Sequence, residues 1–351
     1  GFDPLLPRTR TSLRAQIDRA EFGGRDFGGI ELDAELDSQR LSGRISDRDE
    51  ALRLLLSVSG TLTEREQRIG LSGSVFGFDL AALGVSPEPI GGSFALDASA
   101  SAAGKGAYAA RIALDSIEIR NKHRTDRIRP TSVSLHTDSA ATRAEAASGD
   151  LSLTFSTPQS ADSLIAALTR SARTLAGQID AQSIDMEQLK PALPDFALRV
   201  SAGPDNILNS LLKSRKIAFD ALNAEGVNCD SLPVSIRLRT EGLAYGNVVL
   251  DTVTADIRQN GKRLEYALGL ANTPGNLDNI ARAGLYGHLV RNTGQANLYQ
   301  RNRAGREGFR FGLDVTWTDS LVRASVTPPD PLFGFEPWTV NRGNYLAYRF
   351  D

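Results

Sequence analysis

Apolar and polar side chains alternate with a period of two along most of this 351-residue chain, and that rhythm constrains what it can become. Ile30, Leu32, Ala34 and Leu36, for example, alternate with Glu31, Asp33, Glu35 and Asp37. Successive side chains of a strand point to opposite faces, so such runs predict strands with one wet and one apolar face. So much one-sided strand exceeds what one compact sandwich needs. The expectation is either several domains or one elongated body of consecutive strands.

The rhythm runs from Phe27 to about Phe155, with turn signals between the runs. Leu54, Leu56, Val58 and Leu62 share one parity; Ile69, Leu71 and Val75 follow, then Phe94, Leu96, Ala98 and Ala100. Tyr108, Ala110, Ile112 and Leu114 lead to Ile117 and Ile119, then Val133 and Leu135, then Leu151, Leu153 and Phe155. Ser46-Asp47-Arg48-Asp49, Gly91-Gly92, Gly104-Lys105-Gly106 and Ser148-Gly149-Asp150 are the expected turns. Short spacing between strands makes neighbours in sequence antiparallel neighbours in space.

The period changes after Ser160. Leu164, Leu168, Ala172, Leu175 and Ile179 recur at three and four, which predicts an amphipathic helix whose apolar stripe packs on the sheet, with a membrane-surface element as the alternative. Asp185 is placed to cap a short second helix ending at Leu189, before Pro191 and Pro194. Phe196, Leu198 and Val200 then make a strand, and Asp205 is placed to cap a third helix carrying Ile207, Leu208, Leu211 and Leu212.

Alternation returns through Ile217, Phe219 and Ala221 and then Val234, Ile236 and Leu238. Val249, Val253, Ala255 and Ile257 follow, then Leu264, Tyr266, Leu268 and Leu270; Leu285 and Leu289 lead to Phe309, Phe311, Leu313, Val315 and Trp317. Turns near Asn272, Asn276 and Asn292 suit left-handed backbone. The predicted fold is mainly β, an elongated and curled antiparallel sheet with a short helical insertion. Its parts are β-groove repeats over 1–158, a helical insertion with one strand over 159–214, and β-groove repeats over 215–351. About 18 to 20 strands spaced ~4.8 Å apart along one axis make a ribbon roughly 90 Å long.

The sequence offers little for chemistry, and no enzyme activity is expected. Forty basic and forty-two acidic residues, interspersed, leave a net charge of -2 and no basic footprint for nucleic acid. His123, His136 and His288 lie far apart with no companion at metal-ligand spacing, so neither a metal nor another cofactor is predicted. Cys229 stands alone and reads as a small buried apolar residue. No Gly-x-Ser-x-Gly elbow occurs, and Gly104-Lys105-Gly106 joins strands without opening a helix. Glu31, Asp33, Glu35 and Asp37 share one side of a strand and read as a solvated face relieved by Arg or Lys. No run approaches the roughly 20 apolar residues that span a bilayer. Beginning at Gly1 without Met, the chain reads as part of something longer.

Three stretches carry a family resemblance. Asp185-Met186-Glu187-Gln188-Leu189-Lys190-Pro191-Ala192-Leu193-Pro194 with Ala202-Gly203-Pro204-Asp205-Asn206-Ile207-Leu208, and the ending Pro331-Leu332-Phe333-Gly334-Phe335-Glu336-Pro337-Trp338-Thr339-Val340-Asn341-Arg342-Gly343-Asn344-Tyr345, resemble the TamB proteins (translocation and assembly module, AsmA-like) of Bacteroidota. The resemblance implies a periplasmic protein, anchored in the inner membrane by a helix absent from this chain. It implies a U-shaped, β-taco-like open groove with an apolar interior. It also implies phospholipid transport between the two membranes and outer-membrane protein assembly with an Omp85-type partner, through regions not identifiable here.

The residues argue for the same mechanism independently. Each methylene moved out of water is worth about 0.8 kcal/mol, so lipid tails need a dry track across an aqueous gap. The candidates for lining it are Ile30, Leu32, Leu36, Leu54, Leu56, Val58, Ile69, Leu71, Phe94, Leu96, Ile112, Leu114, Leu151, Leu153 and Phe155. Val234, Ile236, Val253, Ile257, Tyr266, Leu268, Phe309, Phe311, Leu313 and Val315 complete the set. Phospholipid acyl chains are the expected partner. A structural β-solenoid scaffold or adhesin without lipid transport is the alternative, though the tight repeat and Asn or Thr ladders it favours are not seen. A carbohydrate-active enzyme would require convergent carboxylates beside aromatics, and Trp317 and Trp338 are isolated.

Overall fold

The computed structural model describes residues 9–350 apart from 19, 23–24, 28, 50, 105, 123, 214, 273–280 and 342, and omits the side chains of 20–22, 25–27 and 329. Lys105, His123, Asn276 and Arg342 therefore lie outside the described residues. The chain is mainly β, an open antiparallel sheet with few helices. Two compact units divide it, Gly1–Leu153 with Asp205–Leu211, and Thr154–Pro204 with Leu212–Asp351. The segment expected as a helical insertion over 159–214 is thus shared between the units.

In the first unit the strands are β1 Arg10–Ile17, β2 Ala20–Phe22, β3 Arg25–Phe27, β4 Ile30–Asp37, β5 Arg40–Arg48 and β6 Leu52–Leu62. They continue with β7 Glu66–Asp79, β8 Gly91–Ala103, β9 Ala107–Arg120, β10 Thr125–Ile128, β11 Thr131–Thr137 and β12 Thr142–Ser148. β2 and β3 form a separate hairpin between β1 and β4. The rest is a meander in which β1 pairs with β4, each strand from β4 to β9 with the next, β9 with both β10 and β11, and β11 with β12. β13 Leu151–Thr157 crosses the division between the units.

The second unit holds helix α1 Ala161–Asp180, helix α2 Met186–Leu189 and β14 Phe196–Ala202. Helix α3 Ile207–Lys213 crosses the division, most of it in the first unit, and β15 Ile217–Ala218 precedes β16 Ala221–Cys229, β17 Leu232–Tyr245, β18 Val248–Asn260, β19 Arg263–Ala271 and β20 Arg282–Val290. β21 Thr293–Arg301, β22 Glu307–Thr318, β23 Leu321–Phe333, β24 Glu336–Pro337 and β25 Leu346–Arg349 follow. β14 pairs with β16, and β16 to β23 form an unbroken meander.

Several local expectations need correction. Ser46-Asp47-Arg48 belongs to β5, and the chain turns where the Leu52 N–H donates to the Asp49 carbonyl. Gly91-Gly92 opens β8 because a Cβ at Gly92 would sit 2.2 Å from the Glu118 carbonyl oxygen, so glycine serves close strand approach there. Near Asn292 it is Arg291 that takes the left-handed backbone, at φ 50. Leu114 and Ile117 share one face despite opposite parity, because Ser116 at φ 51 inserts a bulge.

Helices α1 and α2 begin where the sequence places them. Ser160 caps α1 through the Ser163 N–H, and Asp185 caps α2 through the Glu187 N–H. Pro191 does not stop the chain's winding, because it sits at the start of a 3₁₀ turn, Lys190–Ala192, where no N–H is needed. α3 departs from expectation. Its cap is Asn206, whose Oδ1 accepts from the Asn209 N–H at 2.9 Å, while Asp205 instead accepts from Arg129. Asn206 is buried and also donates to Asp150 at 2.6 Å.

The core is small. Among the described residues Met186, Leu189 and Val234 form a cluster of buried residues, flanked by Ile184, Leu193 and Leu264. Across both units large apolar side chains of the sheet, among them Ile69, Ile112, Val133, Ile236 and Leu268, stay exposed.

Asn206→Ala removes a buried cap and a buried hydrogen bond and should cost about 2 kcal/mol. Asp205→Ala removes only an exposed ion pair, worth less than about 1 kcal/mol. A clearly larger fall in urea midpoint for Asn206→Ala than for Asp205→Ala checks the assignment; equal falls would reverse it.

Candidate functional site: an apolar sheet face

Residues directly opposite each other in an antiparallel pair share a face, so the registers trace rows of side chains across each unit. In the first unit Leu13, Ala34, Gly43, Val58, Leu71, Ala98, Ile112, Val133 and Ala146 form one row across nine strands. Beside it run Leu32, Ile45, Leu56, Gly73, Leu96 and Leu114. No charged residue enters either row. Nine strands spaced ~4.8 Å apart make the first about 38 Å long.

The second unit repeats the arrangement. Leu198, Gly226, Ile236, Ile257, Tyr266, Gly287, Ala296, Leu313 and Val326 make one row. Val200, Ala224, Leu238, Ala255, Leu268, Leu285, Leu298 and Phe311 make the next.

All the groove candidates described here lie on these apolar faces. Ile30, Leu36, Leu54, Ile69 and Phe94 extend the face of the first unit, and Val234, Val253, Phe309 and Val315 that of the second. Phe155 stacks on Phe196 of β14 at 6.4 Å between centroids, and Leu151 and Leu153 share its side of β13.

The faces are only partly covered. Ile69, Ile112, Val133 and Leu135 in the first unit and Ile236, Leu268 and Leu298 in the second leave 39–46% of their surface exposed. Fully burying such a side chain is worth about 1.5–3 kcal/mol, so each leaves about 1 kcal/mol unused. One end of the second unit's face is covered, where Met186 and Leu189 of α2 pack on Val234. α1 sits against α2: Gln178 donates to the Asp185 carbonyl and Ser171 to the Ala192 carbonyl. Trp317 Nε1 donates to the Gln182 carbonyl just beyond α1.

The expectation that the apolar stripe of α1 packs on the sheet is not met. Its packed side is Ala167, Ser171 and Gln178, while Leu168, Leu175 and Ile179, with Ile165, are exposed. The polar side wins because Gln178 and Ser171 find backbone partners there. Cys229 also departs from expectation, being half-buried with its Sγ 3.4 Å from the Ser231 hydroxyl.

The opposite face is a ladder of charge pairs. Arg14 and Asp33, Arg10 and Asp37, Arg127 and Glu118, Arg199 and Glu225, Arg237 and Asp256, and Arg258 and Glu265 are each directly opposite in register and 2.6–3.5 Å apart. The carboxylates of β4 are thus met by arginines of β1. The hydrogen bond from Arg10, and after it that from Ser38, holds the Asp37 carboxyl below its ordinary value. Hydrogen bonds from Asn260 and Arg258 do the same for Glu265.

Cavities open on this polar face. One of about 870 Å³ lies in the second unit between Arg199, Arg237 and Arg239 on one side and Tyr286 and Tyr299 on the other. A second of about 550 Å³ lies in the first unit beside Arg111, His136 and Glu145. Sequence reading missed the tyrosine pair. The signal was present in the hairpin at Asn292, whose register sets Tyr299 beside Gly284 and Asn297 beside Tyr286.

Among the described residues no group of three or more His, Cys, Asp or Glu forms a metal-binding cluster, and no helix is long and apolar enough to cross a membrane. Comparison with protein-family models, curated proteins and solved structures finds no match.

An NMR titration checks the charge ladder. The midpoint of Asp37 should lie below the ordinary 3.8, and Arg10→Gln should move it up. Because folding lowers this pKa, the pair's contribution to stability is present above the ordinary value and lost as pH falls through the lowered midpoint. An Asp37 midpoint unmoved by Arg10→Gln would refute the pairing in solution.

Proposed function

We propose that this chain is a segment of a periplasmic bridge whose apolar sheet faces conduct phospholipid acyl chains between the inner and outer membranes. On this reading it also supports outer-membrane protein assembly with an Omp85-type partner, through regions not identifiable here. The observation that carries the reading is the pair of uncharged rows in each unit, half exposed and continuous over six to nine strands.

The physical argument is one of solvation. A diacyl lipid with around 30 methylenes would expose about 24 kcal/mol of transfer free energy in water. An apolar row supplies replacement contacts at each step. Leu, Ile, Val and Ala succeed one another from strand to strand, so affinity changes little along the row and no deep well has to be escaped. The charge ladder keeps the other face in water, which confines the lipid to one side. The alternative of a self-filled solenoid has less support, because a filled interior would bury Ile112, Val133, Ile236 and Leu268, which are exposed.

Photo-crosslinking residues placed at Leu32 and Leu268 in cells should yield phospholipid adducts, and those at Asp33 and Gly269, one residue away on the other face, should not. Adducts at both parities, or at neither, would sink the proposal. Ile112→Glu puts a charge on the row at an exposed position, so the sheet should still fold while adducts fall about tenfold or more; unchanged capture in a folded Ile112→Glu variant would count equally against it.

A further inference from the structure

A cavity of the second unit opens on the face that the lipid reading leaves unused. β19 borders it with Ala267, Leu268 and Gly269, and because only Ala267 and Gly269 of these belong to the polar face, that face dips there between taller neighbours. Gly269 is held small by Thr254, whose hydroxyl oxygen would lie 2.8 Å from a Cβ at that position. The valley runs from β14 to β21, seven strands in register order, and at ~4.8 Å per strand spans about 29 Å. Its volume of about 870 Å³ is that of a ligand site.

One wall is aromatic. Tyr299 lies over Gly284, where a Cβ would come within 2.5 Å of a ring carbon, so that glycine is what lets the ring lie down on the sheet. The Arg301 guanidinium backs the same ring at 5.6 Å. Tyr286, its centroid 6.2 Å from that of Tyr299 and its plane tilted by 56°, is half exposed toward the valley. The far wall is charged yet neutral in sum: Arg199 meets Glu225 at 3.3 Å, Arg237 meets Asp256 at 3.5 Å and Arg239 meets Glu241 at 2.9 Å.

That combination selects a ligand class. A phosphate or carboxylate would have to take an arginine from its carboxylate, and a cation would have to do the reverse, so neither gains a free charge here. A neutral polyol loses nothing, since paired guanidinium and carboxylate groups keep spare donors and lone pairs aimed in fixed planes. A flat aromatic ring offers its face to the C–H side of a sugar ring. An open valley about 29 Å long suits a chain of sugars better than a single one.

We infer that the polar face of the second unit binds a neutral oligosaccharide chain, with Tyr286 as the stacking platform and the Arg199 to Asp256 wall as the hydroxyl-binding side. The inference stands apart from the lipid reading, because Tyr286, Tyr299 and the charged wall belong to the opposite face, although Val200, Leu238, Ala255 and Leu268 of the apolar row also border the cavity.

Titrating the full chain with chitohexaose and with maltohexaose, followed by NMR and calorimetry, tests it. Saturable binding of at least one of them is expected, weakened about tenfold by Tyr286→Ala and retained by Tyr286→Phe. Ala267→Arg, which fills the valley floor, should abolish binding with an unchanged far-UV circular dichroism spectrum. Neither variant should alter lipid adducts at Leu268 on the other face. Absence of binding to both oligosaccharides, equal binding by Tyr286→Ala and Ala267→Arg, or saturable binding of inorganic phosphate instead would each overturn the inference.

Discussion

A slip of one residue between any two of these strands would turn every arginine of one strand toward leucines of the next. That parity constraint holds the structure together more firmly than any single contact. Each exposed Arg and carboxylate pair contributes about 0–1 kcal/mol. A slipped β18, however, would set Asp256 and Arg258 into the rows that hold Ile236, Leu238 and Tyr266, at a cost set by desolvating charge. Because neighbouring strands share residues through their register, an error at one strand propagates to the next. The single layer is specified although it has almost no buried core.

Bulges are where this constraint is locally renegotiated. Val75 and Phe78 lie on the same face of β7 with two residues between them, and Leu114 and Ile117 do so on β9. In both cases the sequence carries the break openly, as a change of parity in the apolar run. What parity alone does not reveal is the backbone that permits it, here a left-handed Ser116. Ser46 to Arg48 deceived in the opposite direction. Turn-forming residue types sit inside β5 because Asp47 occupies an inward position, buried, with its carboxylate accepting from the Asp49 N–H.

The strands and which side of each is apolar were legible because period-two alternation is local and survives any tertiary context. The helix cap at Asp185 was legible for the same reason, whereas the sequence marked only the change of period after Ser160 and not that Ser160 itself caps α1. The side on which α1 packs was not. A helical wheel shows where apolar residues cluster, whereas the docked side followed from Gln178 and Ser171 meeting backbone groups of the 185–192 segment. The cap of α3 moved from Asp205 to Asn206 for a similar reason, since Asp150 holds Asn206 from across the turn at Gly149. The valley escaped reading because its aromatic wall is made of tyrosines thirteen residues apart, which only the hairpin register brings together.

Glycines show how the apolar face keeps its relief low. A Cβ at Gly287 would come within 1.8 Å of the Gln295 carbonyl oxygen and 2.8 Å of the Tyr266 hydroxyl. Tyr266 lies across that position and donates to the same carbonyl at 2.9 Å, so its one polar atom is satisfied while its ring presents apolar surface. Leu289 and Trp317 crowd Gly294 in the same manner. Large side chains thus lie flat over glycines and do not stand up from the sheet. A face flattened in this way, and left half exposed across many strands, is a standing aggregation hazard for a protein surrounded by water. Under the lipid proposal acyl chains would shield that face, and they need no fixed complementary shape to do so.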